Sequence, residues 1–148
     1  MVTYRTLQLA DVDAVAAFAA DGMPSRDAAG LRFSPGKVRS VVEHFAHTPS
    51  DFHLVAFDGG QVVGAIAACV TEMLFFERCE ATVVMCQARG TPGVGRELIG
   101  RLMAWVTSDM RVRRVQFPMD VGARRGYRRL LSSAGFVDAS HTFTFTKD

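Results

Sequence analysis

The sequence of 148 residues predicts one mixed α/β domain whose sheet is antiparallel in its first half. Three observations predict this class. Residues 58–60 (Asp-Gly-Gly) separate two apolar runs, which is a hairpin signal. Apolar residues recur with helical spacing after Val94 and again around Leu130. A β-type run, residues 81–86, stands just before the first of these helices. The predicted order over residues 1–148 is β-α-α-β-β-β-α-β-α-β.

Composition excludes several classes of protein. Hydrophobic residues make up 49% and charged residues 22% of the chain, which is typical of a globular domain and argues against disorder. No apolar run reaches the ~20 residues of a membrane helix. The first residues lack the pattern of a secretion signal, so we expect a cytoplasmic protein without a membrane partner. The formal charge of +2 does not favour nucleic acid as a partner.

Three cysteines, Cys69, Cys79 and Cys86, are odd in number and lack C-x-x-C spacing. We therefore expect neither a disulfide framework nor a metal site. The chain has 17 lysine and arginine residues, and only two of them, Lys37 and Lys147, are lysines. Seven of the arginines lie between Arg111 and Arg129.

The first half of the chain predicts two helices and a hairpin. A short strand is expected over Thr3–Leu7, after which Asp11 can cap a helix. Ser34 and Pro35 are typical of a helix start. The strands of the hairpin are expected over Phe52–Phe57 and Gln61–Thr71. The apolar stripes of the two helices are Val12, Val15, Phe18 and Ala19, and then Val38, Val41, Val42 and Phe45.

The second half begins with a bulky connection over residues 72–79. We expect its side chains to line an acceptor pocket, to form a dimer contact or to lie at an edge of the core: Met73, Leu74, Phe75 and Phe76. Ala81–Cys86 is apolar on both faces and is predicted to be central in the sheet. A helix from Val94, a strand over Val112–Phe117, a helix over Gly122–Ala134 and a strand over His141–Thr146 complete the prediction.

The turn between Cys86 and Val94 is the most informative segment. It runs from a strand through a glycine-rich loop directly into a helix, which directs backbone N–H groups and the helix dipole at one point. A phosphate or pyrophosphate suits such a loop, although glycine also serves strand–helix turns for geometry alone. Residues 90–97 (GTPGVGRE) nearly match a nucleoside-triphosphate loop, but Arg96 and Glu97 stand where lysine and a hydroxyl are needed. The dinucleotide pattern lacks its third glycine, at Leu98.

These residues, with the element order, resemble the GNAT superfamily of N-acetyltransferases over most of the chain. Residues 93–95 (Gly-Val-Gly) match the end of the family's pyrophosphate loop, [QR]-x-x-G-x-[GA], and residues 131–136 match L-x-x-x-G-F. Residues 9–13 are similar to the family's first helix start. Three departures stand out: the family's basic or amide position falls on Gly90, Pro92 lengthens the loop, and Leu131 replaces a frequent tyrosine.

The resemblance implies acetyl-CoA as co-substrate and direct transfer of its acetyl group to a primary amine, carried by a small molecule or a protein. It implies that the main chain near Met85 and Cys86 binds the pantetheine and polarises the thioester. Arg124 and Arg128 are candidates for the 3′-phosphate of CoA. The loop residues expected to bind the pyrophosphate are Arg89, Gly90, Thr91, Gly93, Val94, Gly95 and Arg96.

Glu80 is the first candidate for a general base, and Glu72 is the second. Tyr127 can protonate the leaving thiol if its helix is suitably rotated, or it can simply pack. Cys86 has no basic neighbour in sequence and is expected to be a buried apolar group rather than an acyl carrier. His44, His47 and His141 are expected to be surface or packing residues, with His47 near an acceptor cleft. The alternatives are a catalytically silent CoA-binding module, a small nucleotide-binding protein and, for assembly, a homodimer.

Overall fold

A computed structural model describes residues 1–23, 33–118 and 125–139. A five-stranded mixed sheet forms the centre, with spatial order β1-β2-β3-β4-β5. Neighbours from β1 to β4 are antiparallel, while β4 and β5 are parallel. This arrangement confirms the predicted class and places only the first two residues of the β-type run, Ala81 and Thr82, between two neighbouring strands. The strands are β1 (Val2–Arg5), β2 (Phe52–Asp58), β3 (Gln61–Glu72), β4 (Cys79–Ala88) and β5 (Val112–Gln116).

Helices cover both faces of this sheet. One apolar cluster packs α1 and α2 against the first face, with Val15 and Phe45 at most 1% exposed. The other packs α3 against the opposite face, with Leu98 and Leu102 fully buried. Burial of these stripes is the main source of stability for such layers. The helices are α1 (Val12–Asp21), α2 (Pro35–His47), α3 (Val94–Ser108) and α4 (Arg125–Ser133).

Local signals in the sequence are confirmed where one residue specifies the backbone. The β2–β3 hairpin turns at Gly59 and Gly60, whose φ values are +56° and +81°. Such positive φ angles belong to the tight turns that match the twist of a hairpin. The Ser34 side chain accepts a hydrogen bond from the Lys37 N–H at 3.4 Å and so caps α2.

Asp11 corrects the sequence-based prediction, because its side chain does not cap α1. A 3-10 turn, Leu9–Asp11, precedes the helix, and the carboxylate instead accepts from the Gln8 N–H at 2.9 Å. It also forms two hydrogen bonds with Arg5, at 2.5 and 2.8 Å. The Arg5 guanidinium holds the pKa of Asp11 below its usual range, against the effect of burial. Asp11 thus ties the end of β1 to the start of α1.

The stripe predicted for α2 is only partly buried. Val42 and Phe45 are 1% exposed, whereas Val41 is 47% exposed. Val41 faces away from the core because the buried face of α2 is narrower than the predicted stripe of three valines and one phenylalanine. The first strand also ends at Arg5, two residues before the predicted end.

The end of α4 follows the predicted glycine stop. Gly135 has φ +93°, and the Phe136 N–H donates to the Leu131 carbonyl at 3.0 Å, which closes the last turn. Phe136 packs edge-on against Phe117, with ring centroids 6.2 Å apart. The predicted strand over 141–146 and the first residues of the predicted last helix, 122–124, lie outside the described residues.

Candidate active site

The central feature of the site is a β-bulge in β4. Ala67 of β3 lies opposite Met85 and Ala68 lies opposite Val83, so Val84 has no partner residue on β3. Before the bulge, Ala81 and Val83 face the α3 side of the sheet. After it, Met85 packs with the α1/α2 side, so the alternation of faces reverses. Val84 is 45% exposed and presents unpaired backbone in the middle of the sheet.

β4 is also released from its other neighbour at this point. β5 pairs with residues 79–82 of β4 and ends at Gln116, whose partner is Thr82. Residues 83–88 of β4 therefore continue beyond the end of β5. Tyr127 of α4 lies against this stretch, where its hydroxyl donates to the Cys86 carbonyl at 3.2 Å. Its ring packs against Phe117, which follows β5. Tyr127 thus connects α4 to the part of β4 that β5 does not pair with.

The glycine loop connects this stretch to α3. Gly90 and Gly93 have φ values of +80° and +85°, and a Cβ built on either residue meets nothing within 4 Å. Gly93 is the N-cap of α3, and the first α-helical hydrogen bond runs from the Glu97 N–H to the Gly93 carbonyl at 3.0 Å. The N–H groups of residues 94–96 precede that bond and point out of the helix end. The loop therefore exposes backbone donors beside open space, which suits an anion.

Two further glycines position α3. A Cβ on Gly64 of β3 would come within 2.5 Å of Val94 Cγ1, so glycine lets the first residue of α3 lie directly on the sheet. Gly95 lies in ordinary contact distance of Ala88 and Leu130, at 3.6 and 4.0 Å from its built Cβ. The start of α3, the end of β4 and α4 thus lie close together at Gly95.

Side chains at the end of β4 contact the C-terminal end of α1. Arg89 donates to the Phe18 carbonyl at 2.5 Å, and its guanidinium lies 4.2 Å from the centroid of the Phe18 ring. Gln87 donates to the Ala19 carbonyl at 3.1 Å. A cation at a helix C-terminus is favourable. The side chain of Arg89 is therefore directed toward α1, while its N–H donates to the Val63 carbonyl.

The other loop residues lie at the surface. Thr91 lies 3.4 Å from a carboxylate oxygen of Asp58, at the hairpin turn. Arg96 is exposed in the first turn of α3, while Glu97 pairs with Arg101 at 2.8 Å. Arg128 is exposed on α4. Arg124 lies outside the described residues.

The carboxylate proposed as general base is already paired. Glu80 forms an ion pair with Arg114 of β5, and the same oxygen accepts from the Gln116 amide at 3.1 Å. The Glu80 side chain is 15% exposed. Glu72, the second candidate, is exposed at the last residue of β3. Neither lies next to the bulge in sequence, since Glu80 precedes Val84 by four residues.

Cys86 is partly buried. Burial raises the pKa of the Cys86 thiol to about 12, although the Tyr127 hydroxyl opposes that rise. A thiol with so high a pKa is protonated at neutral pH and is a poor nucleophile, which favours the expected packing role over that of an acyl carrier. The other two cysteines, Cys69 and Cys79, are also free thiols.

Two features of the site were missed in the sequence. The bulge at Val84 has no sequence signal, since valine is typical of regular strands. His44 is exposed, as expected for a surface residue, and it also lines a groove between α2 and the sheet together with Val84, which was not predicted. His47, the predicted neighbour of the cleft, is exposed and does not line that groove. His141 lies outside the described residues.

The β3–β4 connection projects from the domain. Leu74, Phe75 and Phe76 are 91%, 88% and 67% exposed. The alternative that they lie at an edge of the core is therefore wrong, because a connection that extends past both strands has no layer to pack against. They remain candidates for an acceptor or dimer contact.

Metal-binding clusters and membrane-spanning helices are both absent from the described residues. Residues 1–23, 33–118 and 125–139 contain no group of three or more His, Cys, Asp or Glu side chains that could hold a metal ion. The same part of the chain has no helix long and apolar enough to cross a membrane.

The fold was compared with known proteins. No family model matches the sequence, and no curated protein is similar to it in sequence. A possible acetyltransferase from Clostridium difficile 630 superposes with a TM-score of 0.77 at 10% identity, over 100% of this chain and 98% of that one. A predicted acetyltransferase from Clostridium acetobutylicum, solved with acetyl-CoA, gives 0.75 at 10% identity, over 99% and 96%.

An acetyltransferase of the GNAT family from Streptococcus pneumoniae gives a TM-score of 0.71 at 16% identity, over 93% of this chain and 84% of that one. Identities this low establish the fold and not the activity or the substrate. The similarity extends over nearly the whole of both chains, and the shared fold is the one that the sequence motifs indicated. The chain therefore has the fold of the GNAT acetyltransferases.

Proposed function

We propose that the protein transfers the acetyl group of acetyl-CoA directly to a primary amine. The observation that carries this proposal is the continuity of one strand: the bulge at Val84 leads within ten residues into the open glycine loop and the N-terminus of α3. A thioester and a pyrophosphate joined by pantetheine need two such binding points connected by a strand. The acetyl-CoA bound to the similar structure from Clostridium acetobutylicum supports the same ligand.

The pyrophosphate would bind to backbone N–H groups of the loop. Gly90, Thr91, Gly93, Val94, Gly95 and Arg96 supply these donors, and Pro92 supplies none. The glycines fit the group, because a Cβ at Gly90 or Gly93 would occupy the open space over the loop. Arg96, Arg124 and Arg128 are proposed to bind phosphate oxygens with their side chains. Arg89 would contribute to the shape of the loop rather than a donor, since its side chain contacts α1 and its N–H donates to the Val63 carbonyl.

The pantetheine would run along β4 at Met85 and Cys86, where β5 no longer pairs. The unpaired backbone at Val84 would polarise the thioester carbonyl. The amine nitrogen attacks the carbonyl carbon, the C–S bond breaks, and the CoA thiolate receives a proton. We assign that proton to Tyr127, whose hydroxyl lies at this stretch of β4. Glu80 is the candidate base on the strand itself, although it must release Arg114 to act.

A silent CoA-binding module is the second candidate, and one observation favours it. The Tyr127 hydroxyl already holds the Cys86 carbonyl, which is part of the main chain that pantetheine would need. A nucleoside-triphosphate site has no comparable support, because Glu97 is paired with Arg101 at the position where Mg²⁺ would be held.

Calorimetry with acetyl-CoA and thiol release with amines separate these functions. We expect micromolar binding of acetyl-CoA and a smaller response to ATP. Tyr127→Phe should lower kcat by about 10²-fold, because general acid catalysis is typically of that size, and should leave the Kd for acetyl-CoA nearly unchanged. Binding without turnover on any amine, with tighter binding by Tyr127→Phe, would support the silent module. Absence of acetyl-CoA binding would contradict both.

A further inference from the structure

A groove of about 330 Å³ lies between α2 and the sheet. Val84, the bulge residue, forms one wall, so the groove opens at the point where the proposed transfer takes place. The volume is at the lower end of the range for small-molecule sites. Its lining residues come from one helix and two strands: Ser40, Val41, His44, Phe45, Cys69 and Val84.

The lining is apolar and carries no carboxylate. Val41 and Val84 are 47% and 45% exposed, so both present apolar surface to solvent. The Ser40 hydroxyl donates to the Gly36 carbonyl at 3.0 Å, within its own helix. Burial raises the pKa of the Cys69 thiol, which therefore stays neutral. A polycation would find no counter-charge here, whereas an aryl or branched alkyl group would be removed from water.

His44 is the basic side chain of this lining. Its Nε2 lies 3.7 Å from a carboxylate oxygen of Asp51 and 3.5 Å from the Thr48 hydroxyl. The Asp51 side chain is 9% exposed, and its other oxygen accepts from the Val70 N–H at 2.9 Å. The imidazole packs edge-on against the Phe45 ring at 5.7 Å. A carboxylate fixed behind one ring nitrogen favours N–H there and leaves Nδ1 with the lone pair.

The surroundings of Glu80 and His44 differ in a way that favours His44 as the general base. Glu80 does not line the groove, and its carboxylate is held by Arg114 and Gln116. His44 lines the groove beside the bulge, its side chain is 60% exposed, and no cation opposes it among its described contacts. A long contact to Asp51 is compatible with this role, since catalytic hydrogen bonds often shorten only when the substrate binds.

Resting on the proposed acetyl transfer, we propose that this groove binds a primary amine with an aryl or branched alkyl body and that His44 accepts its proton. The ammonium R–NH₃⁺ gives one proton to His44 Nδ1, and the free amine attacks the thioester carbon. The C–N bond forms and the C–S bond breaks. Tyr127 gives its proton to the CoA sulfur and takes up the second proton of the nitrogen, and His44 releases its proton to water.

A panel of amines tests the substrate class. Phenethylamine, ethanolamine and spermidine are compared by thiol release at saturating acetyl-CoA. We expect kcat/KM for phenethylamine to exceed that for either other amine at least about tenfold, because a buried aromatic ring is strongly favoured. Val41→Asp, at an exposed position on the groove wall, should lower the phenethylamine value about tenfold and raise that for spermidine. A preference of the unaltered protein for spermidine would overturn the proposal.

Variants of histidine test the base. His44→Gln should lower kcat for phenethylamine by about 10²-fold with the Kd for acetyl-CoA unchanged. Added imidazole should restore part of the activity of His44→Ala. His47→Gln, three residues along the same helix but outside the groove, is the matched control and should be unaffected. Full activity in His44→Gln together with its loss in Glu80→Gln would place the base on β4 and overturn the assignment.

The two proposals fail in different ways. Binding of acetyl-CoA without turnover on any amine would contradict acetyl transfer. Calorimetry with phenethylamine on the CoA-bound protein then still tests the groove. Binding that is weakened by Val41→Asp supports an apolar ligand site, and no binding overturns it.

Discussion

The two ends of the bulged half of β4 are built differently. At the end near Ala88, the backbone forms the site, through Gly90, Gly93 and the first turn of α3. At Val84, side chains form the site, and they come from α2, β3 and β4. Under the proposed function, the first end would bind a chemical group shared by every CoA ester. The second end would meet the part of the substrate that varies.

This difference explains why the sequence predicted a site at the glycine loop and predicted none at Val84. A site built from backbone groups needs residues that can adopt positive φ angles, and a glycine in the sequence marks such a position. A side-chain site needs only ordinary residues in proximity, such as His44 and Val84, which are 40 positions apart. The following changes test whether the two ends are indeed independent, beginning with the largest expected effect.

Gly93→Val should damage the cofactor end alone. Gly93 has φ +85°, and a β-branched residue in that conformation costs about 2 kcal/mol, which corresponds to about 30-fold in the Kd for acetyl-CoA if the loop changes shape. The KM for the amine should stay within about twofold. Calorimetry and steady-state kinetics measure both quantities.

Gly100→Ala is the matched control for this change. Gly100 lies inside α3, is exposed and has open space around a built Cβ, so alanine should raise the free energy of unfolding by about 0.5–1 kcal/mol. Equal loss of acetyl-CoA binding in both variants would contradict the role of the Gly93 backbone.

Gly64→Ala should test how α3 is positioned. The new Cβ would lie 2.5 Å from Val94 Cγ1, so overpacking should lower the free energy of unfolding by about 1–3 kcal/mol in urea titrations. Acetyl-CoA binding should weaken as well, because the first turn of α3 must move. The double variant Gly64→Ala with Val94→Ala removes the clash and should recover part of both losses. Additive losses in the double variant would contradict direct contact.

Protonation of His53 should have the smallest effect, and this effect should be on the free energy of unfolding rather than on turnover. Its Nδ1 accepts from the Leu7 N–H at 3.1 Å, and burial lowers its pKa, opposed by Asp51. The unfolded chain therefore binds a proton more readily, so the free energy of unfolding should fall as the pH drops below about 6.5. Denaturation between pH 8 and pH 5 measures this slope. His53→Gln should flatten it, and an unchanged slope would assign it to other groups.

The fold was largely predictable from local signals. The turn at Gly59 and Gly60, the cap at Ser34 and the stop at Gly135 each depend on one residue whose backbone or side chain suits one structure. Asp11 was wrongly predicted to cap α1. Its carboxylate binds Arg5 instead, which lies six residues earlier in the chain and close to Asp11 in the fold.

The sequence by itself determined the order of the described elements, the strand that enters the glycine loop, and the glycines that shape the turn into α3. Tertiary structure alone decided the bulge at Val84, the pairing of Glu80 with Arg114, and the meeting of His44 and Val84 at one groove. The physical reason is range. Turns and caps depend on the φ angles and hydrogen bonds of neighbouring residues, whereas strand register and grooves depend on packing between distant segments.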